Sequence, residues 1–156
     1  MELWDAYDRN FNKIANTVLV RGEEIPDGMF HLVCDVLVKH TDGTYLLMQR
    51  DYTKHLGGMW EATAGGSALK GETPLECAKR ELFEETGITS ADFTQLGTVV
   101  CDSHKSIYFD YLCVTVCDKN TITLQTGETI DYMWVTHDKL KSMHTELASK
   151  RILQFI

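Results

Sequence analysis

The sequence predicts a mixed α/β sandwich in which one strongly marked helix lies between two sets of strands. Its 156 residues suffice for one domain with a single sizeable core. Segments rich in β-branched and aromatic residues occur both before and after that helix. This order favours a mixed sandwich over a regular parallel doubly wound sheet. We therefore expect residues 1–156 to form one domain, with residues 1–25 as an N-terminal hairpin extension.

The strands expected on either side of the helix follow from composition and turn signals. Residues 30–38 are apolar and β-branched enough for a buried strand, and a Thr-Asp-Gly turn at 41–43 leads into a second strand at 45–48. After the helix we expect strands at 99–101, 106–116, 121–124 and 131–135. Two short helices, at 137–144 and 147–155, close the chain.

Composition and charge exclude several classes of protein. Hydrophobic residues make up 44% of the chain and charged residues 24%, an ordinary globular mixture. No apolar run approaches the roughly 20 residues that span a bilayer. The first residues show no basic start followed by an apolar stretch, so we expect no secretory signal. The five cysteines follow no disulfide pattern, so we expect reduced thiols and a cytoplasmic protein. Because no apolar run is long enough to span a bilayer, we also expect no membrane partner. A net charge of −8 without a Lys/Arg cluster predicts no nucleic-acid partner.

The central helix carries its own start and stop signals. Thr73 can act as the N-cap, Pro74 suits the first helical position, and Glu76 can complete a capping box. Gly87 supplies the left-handed residue that commonly ends a helix. These signals predict a helix between Thr73 and Thr86.

Two sets of side chains share faces of this helix. The apolar set, expected to face the core, is Leu75, Ala78 and Leu82. The acidic set, in an adjoining arc, is Glu81, Glu84 and Glu85. The acidic residues repel one another and stand near the C-terminal end, where the helix dipole disfavours anions. Either they form a solvated acidic face or they hold a cation, and hard oxygen ligands suit Mg²⁺ or Mn²⁺.

The spacing around these carboxylates resembles the Nudix box. Residues 66–88 read Gly-x5-Glu-x7-Arg-Glu-Leu-x-Glu-Glu-x-Gly-Ile, which includes every fixed position of that box. The resemblance implies a Nudix-type α/β/α sandwich with a mixed β-sheet and a central loop–helix–loop catalytic motif. It also implies a hydrolase that uses Mg²⁺, with Mn²⁺ as the alternative ion.

The resemblance assigns candidate roles to the box residues. Glu84 and Glu85 are expected metal ligands, and Glu81 is either a further ligand or the base that activates the attacking water. The glycines at 65–66 allow close backbone approach, so that the Gly66 carbonyl is a further candidate ligand.

Three polar residues around the box have open roles. Arg80 is expected to orient the carboxylates, with Glu72 as its partner, although both residues could serve only as scaffold. Glu128 lies where some family members keep an additional metal ligand or base, and an ordinary turn carboxylate is the alternative.

Outside the box the chain resembles the Nudix group that includes isopentenyl-diphosphate isomerase. The similar segments are Leu3-Trp4-Asp5, Phe30-His31-Leu32, Gln49-Arg50 with Lys54, and Gly57-Gly58-Met59-Trp60. The resemblance implies that Arg50 and Lys54 contact a substrate diphosphate, whereas a strand-end surface pair is the alternative. Trp60 could stack a base or belong to the core.

These observations predict a Mg²⁺-dependent pyrophosphohydrolase. We expect water to attack phosphorus in the diphosphate linkage of a nucleoside triphosphate or nucleoside-diphosphate derivative. Because homodimers are common among relatives, a homodimer is a further prediction. One alternative is an isomerase, but that enzyme needs a cysteine where this chain has Gly65. Another is a non-catalytic nucleotide-binding module, although such modules usually lose box carboxylates and this chain retains them.

Overall fold

A seven-stranded mixed β-sheet forms the centre of the computed structural model, which describes residues 1–156. The strands are β1 (Leu3–Tyr7), β2 (Lys13–Val20), β3 (His31–His40), β4 (Tyr45–Arg50), β5 (Trp60–Glu61), β6 (Thr63–Ser67), β7 (Phe93–Cys101), β8 (Ser106–Thr115) and β9 (Thr129–Val135). The helices are α1 (Pro74–Thr86), α2 (His137–Ser142) and a final 3₁₀ helix at Arg151–Phe155.

The sheet is mixed because one parallel pair lies at its centre. The strand order is β5-β4-β3-β8-β7, with β6 added to β3 and β9 added to β4. Strands β3 and β8 pair in parallel over their full length, and every other pair is antiparallel. Strands β1 and β2 form a separate antiparallel hairpin.

Alternation along β3 divides the core into two layers. Cys34 and Val36 face one side and pack with Ala78 and Leu82 of α1. Leu37 faces the other side and packs in a cluster with α2 and the 3₁₀ helix. Helices therefore cover both faces of the sheet, which confirms the predicted α/β/α sandwich. No helix is long and apolar enough to cross a membrane.

Two of the predicted elements are wrong. Residues 121–124 form no strand, because the backbone N–H of Thr123 donates to the Thr86 carbonyl at the end of α1, at 2.9 Å, instead of to a neighbouring strand. The helix expected at 147–155 is only the 3₁₀ helix. Its first residues pair with β5 instead: the N–H of Ala148 donates to the Trp60 carbonyl at 2.8 Å.

Other differences concern burial and extent. Leu75, expected in the core, is 39% exposed because it lies in the first turn of α1, beyond the buried cluster, and Cys77 is buried instead. Strand β7 is longer than predicted, and the two strands that carry Trp60 and Gly66 were not predicted at all. The five cysteines are free thiols, as expected.

Candidate active site

Helix α1 begins and ends as its sequence signals predict. The Glu76 N–H donates to Thr73 Oγ1 at 3.2 Å, and the Thr73 N–H donates to the Glu76 carboxylate at the same distance. Gly87 ends the helix with φ 76°. Burial of Ala78 and Leu82 against the sheet fixes the rotation of the helix about its axis. The acidic face is thereby turned toward the edge of β6.

The three glutamates of this face open into one cavity of about 280 Å³. Glu81 is largely buried, whereas Glu84 is half exposed. Burial, followed by the neighbouring charges of Glu81 and Glu61, raises the pKa of Glu85 to about 8. Burial also raises the pKa of Glu81, although Arg80 opposes this shift. Two carboxyls are thus held in surroundings that disfavour their charged forms.

Arg80 organises this acidic face, and its predicted ion pair with Glu72 is present. Its Nε and Nη2 donate to the two Glu72 carboxylate oxygens at 2.8 and 3.0 Å. Its Nη1 donates to Glu81 at 2.7 Å and to Glu84 at 3.3 Å. Its Nη2 also donates to the Ser67 carbonyl at 3.1 Å. The guanidinium therefore ties the loop before α1 to two of the three glutamates.

Strand β6 brings its glycines against the glutamates. A Cβ on Gly66 would lie 2.6 Å from Cδ of Glu81, and one on Gly65 would overlap the carbonyl of Cys34. The Gly65 N–H donates to Glu85 at 3.4 Å. Gly65 is required because a Cβ would overlap backbone of the paired strand β3, whereas a Cβ on Gly66 would force the Glu81 carboxylate to move.

The remaining candidate residues divide into those that line the cavity and those that do not. Lys54 and Glu128 line it and form an ion pair with each other. Arg50 pairs instead with Glu61 on the neighbouring strand. Trp60 packs against the core cluster beneath α2. The structure therefore brings Lys54 and Glu128 to the box residues, but not Arg50 or Trp60.

Sequence reasoning missed five residues of the cavity wall, namely Glu2, Arg21, Ser67, Leu69 and Gln125. Glu2 and Arg21 belong to the N-terminal hairpin, and no local sequence signal places that hairpin beside α1. Only the folded arrangement reveals their position.

A second charged cluster lies on the opposite face of the sheet from α1. Arg151 pairs with Asp110 and Asp35, and its guanidinium lies 4.5 Å from the centre of the Tyr108 ring. The Asp110 side chain is 0% exposed, and its Oδ1 has no hydrogen-bond partner. Burial raises the pKa of Asp35 to about 6, although Arg151 opposes this shift. This cluster fixes the C-terminal 3₁₀ helix to the centre of the sheet.

The donor set of the cavity fits a hard divalent cation. Carboxylate oxygens and backbone carbonyls are the ligands that Mg²⁺ prefers, and a cation would remove the cost of charging Glu81 and Glu85. In the conformation described, Arg80 draws Glu81 and Glu84 toward itself, and no three His, Cys, Asp or Glu side chains converge on one point. Glu81, Glu84, Glu85 and the backbone at Gly66 are the groups that could hold the ion.

The α/β/α sandwich and the glutamate-bearing loop–helix–loop between Gly66 and Ile88 together define the Nudix class of hydrolases. The chain belongs to this family: residues 29–155 match the family model described as NUDIX domain. An uncharacterized Nudix hydrolase of Listeria innocua is 33% identical over 147 residues, covering 93% of this chain and 86% of that protein. The 8-oxo-dGTP diphosphatase of Proteus vulgaris is 36% identical over 97 residues, covering 62% of this chain and 80% of that protein.

Solved structures share the fold. A protein from Deinococcus radiodurans superposes with a TM-score of 0.76 at 16% identity, covering 98% of this chain and 96% of that one. A MutT protein from Methanosarcina mazei Go1 superposes with a TM-score of 0.62 at 28% identity, covering 80% of this chain and 89% of that one. The chain is therefore a Nudix hydrolase by sequence and by fold, and the family acts on small-molecule substrates.

Proposed function

We propose that this hydrolase is a Mg²⁺-dependent pyrophosphohydrolase whose substrate is a nucleoside triphosphate or nucleoside-diphosphate derivative. The single observation that carries the proposal is that Glu81, Glu84 and Glu85 line one cavity together with the cationic side chain of Lys54. Carboxylates suit a metal ion and the lysine suits a phosphate, so the same cavity offers both partners that such hydrolysis needs.

Glu84 and Glu85 are the proposed principal metal ligands, with Glu81 and the Gly66 carbonyl as further candidates. When bound, Mg²⁺ or Mn²⁺ would neutralise charge on the diphosphate and lower the pKa of a coordinated water. Arg80 is a positioning residue, because its hydrogen bonds hold Glu81 and Glu84 against the loop before α1.

Proton removal from the attacking water falls to a carboxylate of the same cavity. Glu81 is one candidate, because burial raises its pKa and makes it a better proton acceptor than an exposed glutamate. Glu128 is the other, and it is paired with Lys54 in the wall of the same cavity. Lys54 is placed to bind a phosphate oxygen when that pair opens. Arg50 and Trp60, predicted as substrate contacts, do not line this cavity and have no role in the proposal.

The nucleotide part of the proposal is supported by the relative from Proteus vulgaris, named for cleavage of 8-oxo-dGTP. The name of that protein, 8-oxo-dGTP diphosphatase, describes cleavage of a nucleoside triphosphate. A homodimer, a cytoplasmic location and the absence of nucleic-acid and membrane partners stay predictions.

The first experiment is a substrate panel read by phosphorus NMR. Nucleoside triphosphates, damaged nucleotides, nucleotide sugars and isopentenyl diphosphate are incubated with the protein in the presence and absence of Mg²⁺. We expect Mg²⁺-dependent release of a nucleoside monophosphate from at least one nucleotide. Binding without cleavage of any compound would overturn the enzymatic proposal in favour of a nucleotide-binding module.

The second experiment tests the metal ligands. Glu84→Gln and Glu85→Gln should abolish hydrolysis while leaving the circular dichroism spectrum unchanged. Glu76→Gln is a matched control on the same helix, because glutamine removes the charge and can still complete the capping box. Normal turnover by Glu84→Gln and Glu85→Gln would show that the metal site is elsewhere.

A further inference from the structure

The wall of the active-site cavity is almost entirely polar. Five of its side chains are glutamates, namely Glu2, Glu81, Glu84, Glu85 and Glu128, and three are cations, namely Arg21, Lys54 and Arg80. Leu69 is the one hydrophobic residue among those that line it. Such a wall offers little apolar surface to an organic group, so contacts with phosphate must supply most of the affinity within this cavity.

The three cations differ in how many of their N–H donors are already used. Arg80 donates to Glu72, Glu81 and Glu84 and to a backbone carbonyl, which uses its whole donor fork. Lys54 is held by Glu128. Arg80 therefore has no N–H group left for a substrate, whereas the Lys54 ammonium uses one of its three donors and keeps two.

Arg21 is the cation with the most unused donors. Its side chain makes one hydrogen bond, from Nη1 to Glu2 Oε2 at 3.1 Å, and is 68% exposed. A guanidinium carries five N–H donors in a planar fork, so several still point toward solvent. This fork matches the geometry of phosphate oxygens.

The position of Arg21 is fixed although its side chain is exposed. Its backbone N–H donates to the Glu2 carbonyl at 3.0 Å, directly after the end of β2. Trp4 Nε1 donates to the other carboxylate oxygen of Glu2 at 2.7 Å, and the Trp4 ring stacks on His31 with 4.1 Å between ring centres. Glu2 thus accepts hydrogen bonds from Trp4 and Arg21, and it holds the guanidinium in the wall of the cavity.

The hairpin itself is fastened to the loop that leads into α1. The Lys70 N–H donates to the Leu3 carbonyl at 2.8 Å, and the Gly71 N–H donates to Asp5 at 2.7 Å. The hairpin and the glutamate-bearing helix therefore both line one cavity. Arg21 lies outside the matched domain of residues 29–155, so the hairpin adds this cation to the family site.

We propose that Arg21 is a substrate-binding residue that contacts a non-bridging phosphate oxygen of the diphosphate, supplied to the active site by the N-terminal hairpin. The inference rests on the proposed function and names a residue that determines affinity for its substrate. Arg21 keeps its bond to Glu2 while its remaining N–H groups receive the phosphate.

The test compares Arg21→Gln with Arg9→Gln in the full chain. Arg9 is a matched control, because it is an exposed arginine of the same hairpin that pairs with Asp102 and lines a separate cavity. For Arg21→Gln we expect KM to rise about 10- to 100-fold with kcat within about twofold, the pattern of a lost charged hydrogen bond made equally in ground and transition states. Arg21→Lys should restore part of the loss, and Arg9→Gln should match the wild-type protein.

Two further readouts separate a phosphate contact from other roles. The rise in KM should be the same for substrates with different bases, since phosphate is common to all of them. Binding of inorganic pyrophosphate in the presence of Mg²⁺, measured by calorimetry, should weaken by the same factor in Arg21→Gln. Thermal melting of all variants should coincide with the wild-type protein, because Arg21 is exposed.

The possible results distinguish this inference from the proposed function. If the wild-type protein and the Arg21→Gln variant hydrolyse nucleotides equally well, only the role of Arg21 is overturned. A rise in KM confined to one base also overturns it. If Arg21→Gln weakens pyrophosphate binding but the wild-type protein hydrolyses nothing, only the proposed hydrolysis is overturned. A protein that neither hydrolyses nucleotides nor binds pyrophosphate overturns both.

Discussion

The backbone of Gly66 lies directly against the carboxylate of Glu81. A Cβ at this glycine would stand 2.6 Å from Glu81 Cδ, closer than two non-bonded carbon atoms can approach. The glycine that opens the box and the first glutamate of the acidic face are therefore one packed unit, although a loop and most of α1 separate them in the sequence.

Replacing Gly66 with alanine should lower activity more than stability. The methyl group would push the Glu81 carboxylate away from Arg80 and from its place in the cavity. A displacement on the order of 1 Å in a catalytic group can reduce turnover roughly 100-fold, whereas a single added methyl group costs about 1–3 kcal/mol of folding stability. Steady-state kinetics and urea unfolding measure the two effects, and a fully active Gly66→Ala enzyme would contradict the prediction.

Removing the Arg80 guanidinium should destabilise the fold as well as the site. Arg80→Ala leaves Glu72 and Glu81, both largely buried, without their charged partner. We expect a loss of about 1–3 kcal/mol in the free energy of unfolding. Arg80→Lys should recover only part of it, since an ammonium cannot donate to both Glu72 oxygens in the same way. Equal stability of the alanine and lysine variants, measured in urea, would argue against the bidentate pair as the cause.

Stability of the metal-free protein should fall as pH rises through the range that Glu85 controls. Burial raises the pKa of Glu85 from an ordinary value of 4.5 to about 8. Between these values the folded state binds a proton that the unfolded state has released, so raising pH favours unfolding. Thermal melting of metal-free protein should show this decline, and Glu85→Gln should reduce it.

Mg²⁺ should stabilise the protein more at alkaline than at acidic pH. A metal ion must displace the proton of Glu85 at low pH but finds the carboxylate ionised above about pH 8. We expect a larger increase in melting temperature with Mg²⁺ at about pH 8.5 than at about pH 5.5. An equal increase at both values would mean that the ion does not bind Glu85.

Hydrolytic activity should rise toward moderately alkaline pH. Both the general base and a metal-coordinated water work better when they are deprotonated. A rate profile for the best substrate of the panel measures this directly. A maximum below about pH 6 would contradict water activation by a carboxylate site.

Arg151 should be essential to stability through two aspartates. Arg151→Met leaves Asp110, fully buried, and Asp35 without a cation, which should cost about 3–5 kcal/mol. The double variant Arg151→Met with Asp110→Asn should regain part of this loss, because it removes one uncompensated charge. Urea unfolding of the two single variants and the double variant gives the coupling, and additive effects would contradict it.

Local sequence signals were sufficient to predict the helix and its acidic face. The cap residues Thr73, Glu76 and Gly87 act on backbone groups at most four residues away, so the helix ends can be predicted from local sequence. The box spacing likewise fixed which residues share a helix face. For the same reason the Nudix class could be inferred from residues 66–88 before any tertiary contact was known.

Segments whose structure depends on distant partners were predicted poorly. The Ala-Gly-Gly stretch of β6 has little strand propensity of its own and is held extended by pairing with β3. Residues 121–124 have strand-like composition, but their backbone bonds to the end of α1. Local composition cannot report which hydrogen-bond partner is available in the folded chain.

The residues that complete the active-site cavity become visible only in the folded chain. In the folded chain Arg21 and Glu2 line the same cavity as the helix. Arg50 pairs with Glu61, and Trp60 packs against the core. The physical reason is that a helix face is set by bonds between near neighbours, whereas a cavity wall is set by packing between segments far apart in the sequence.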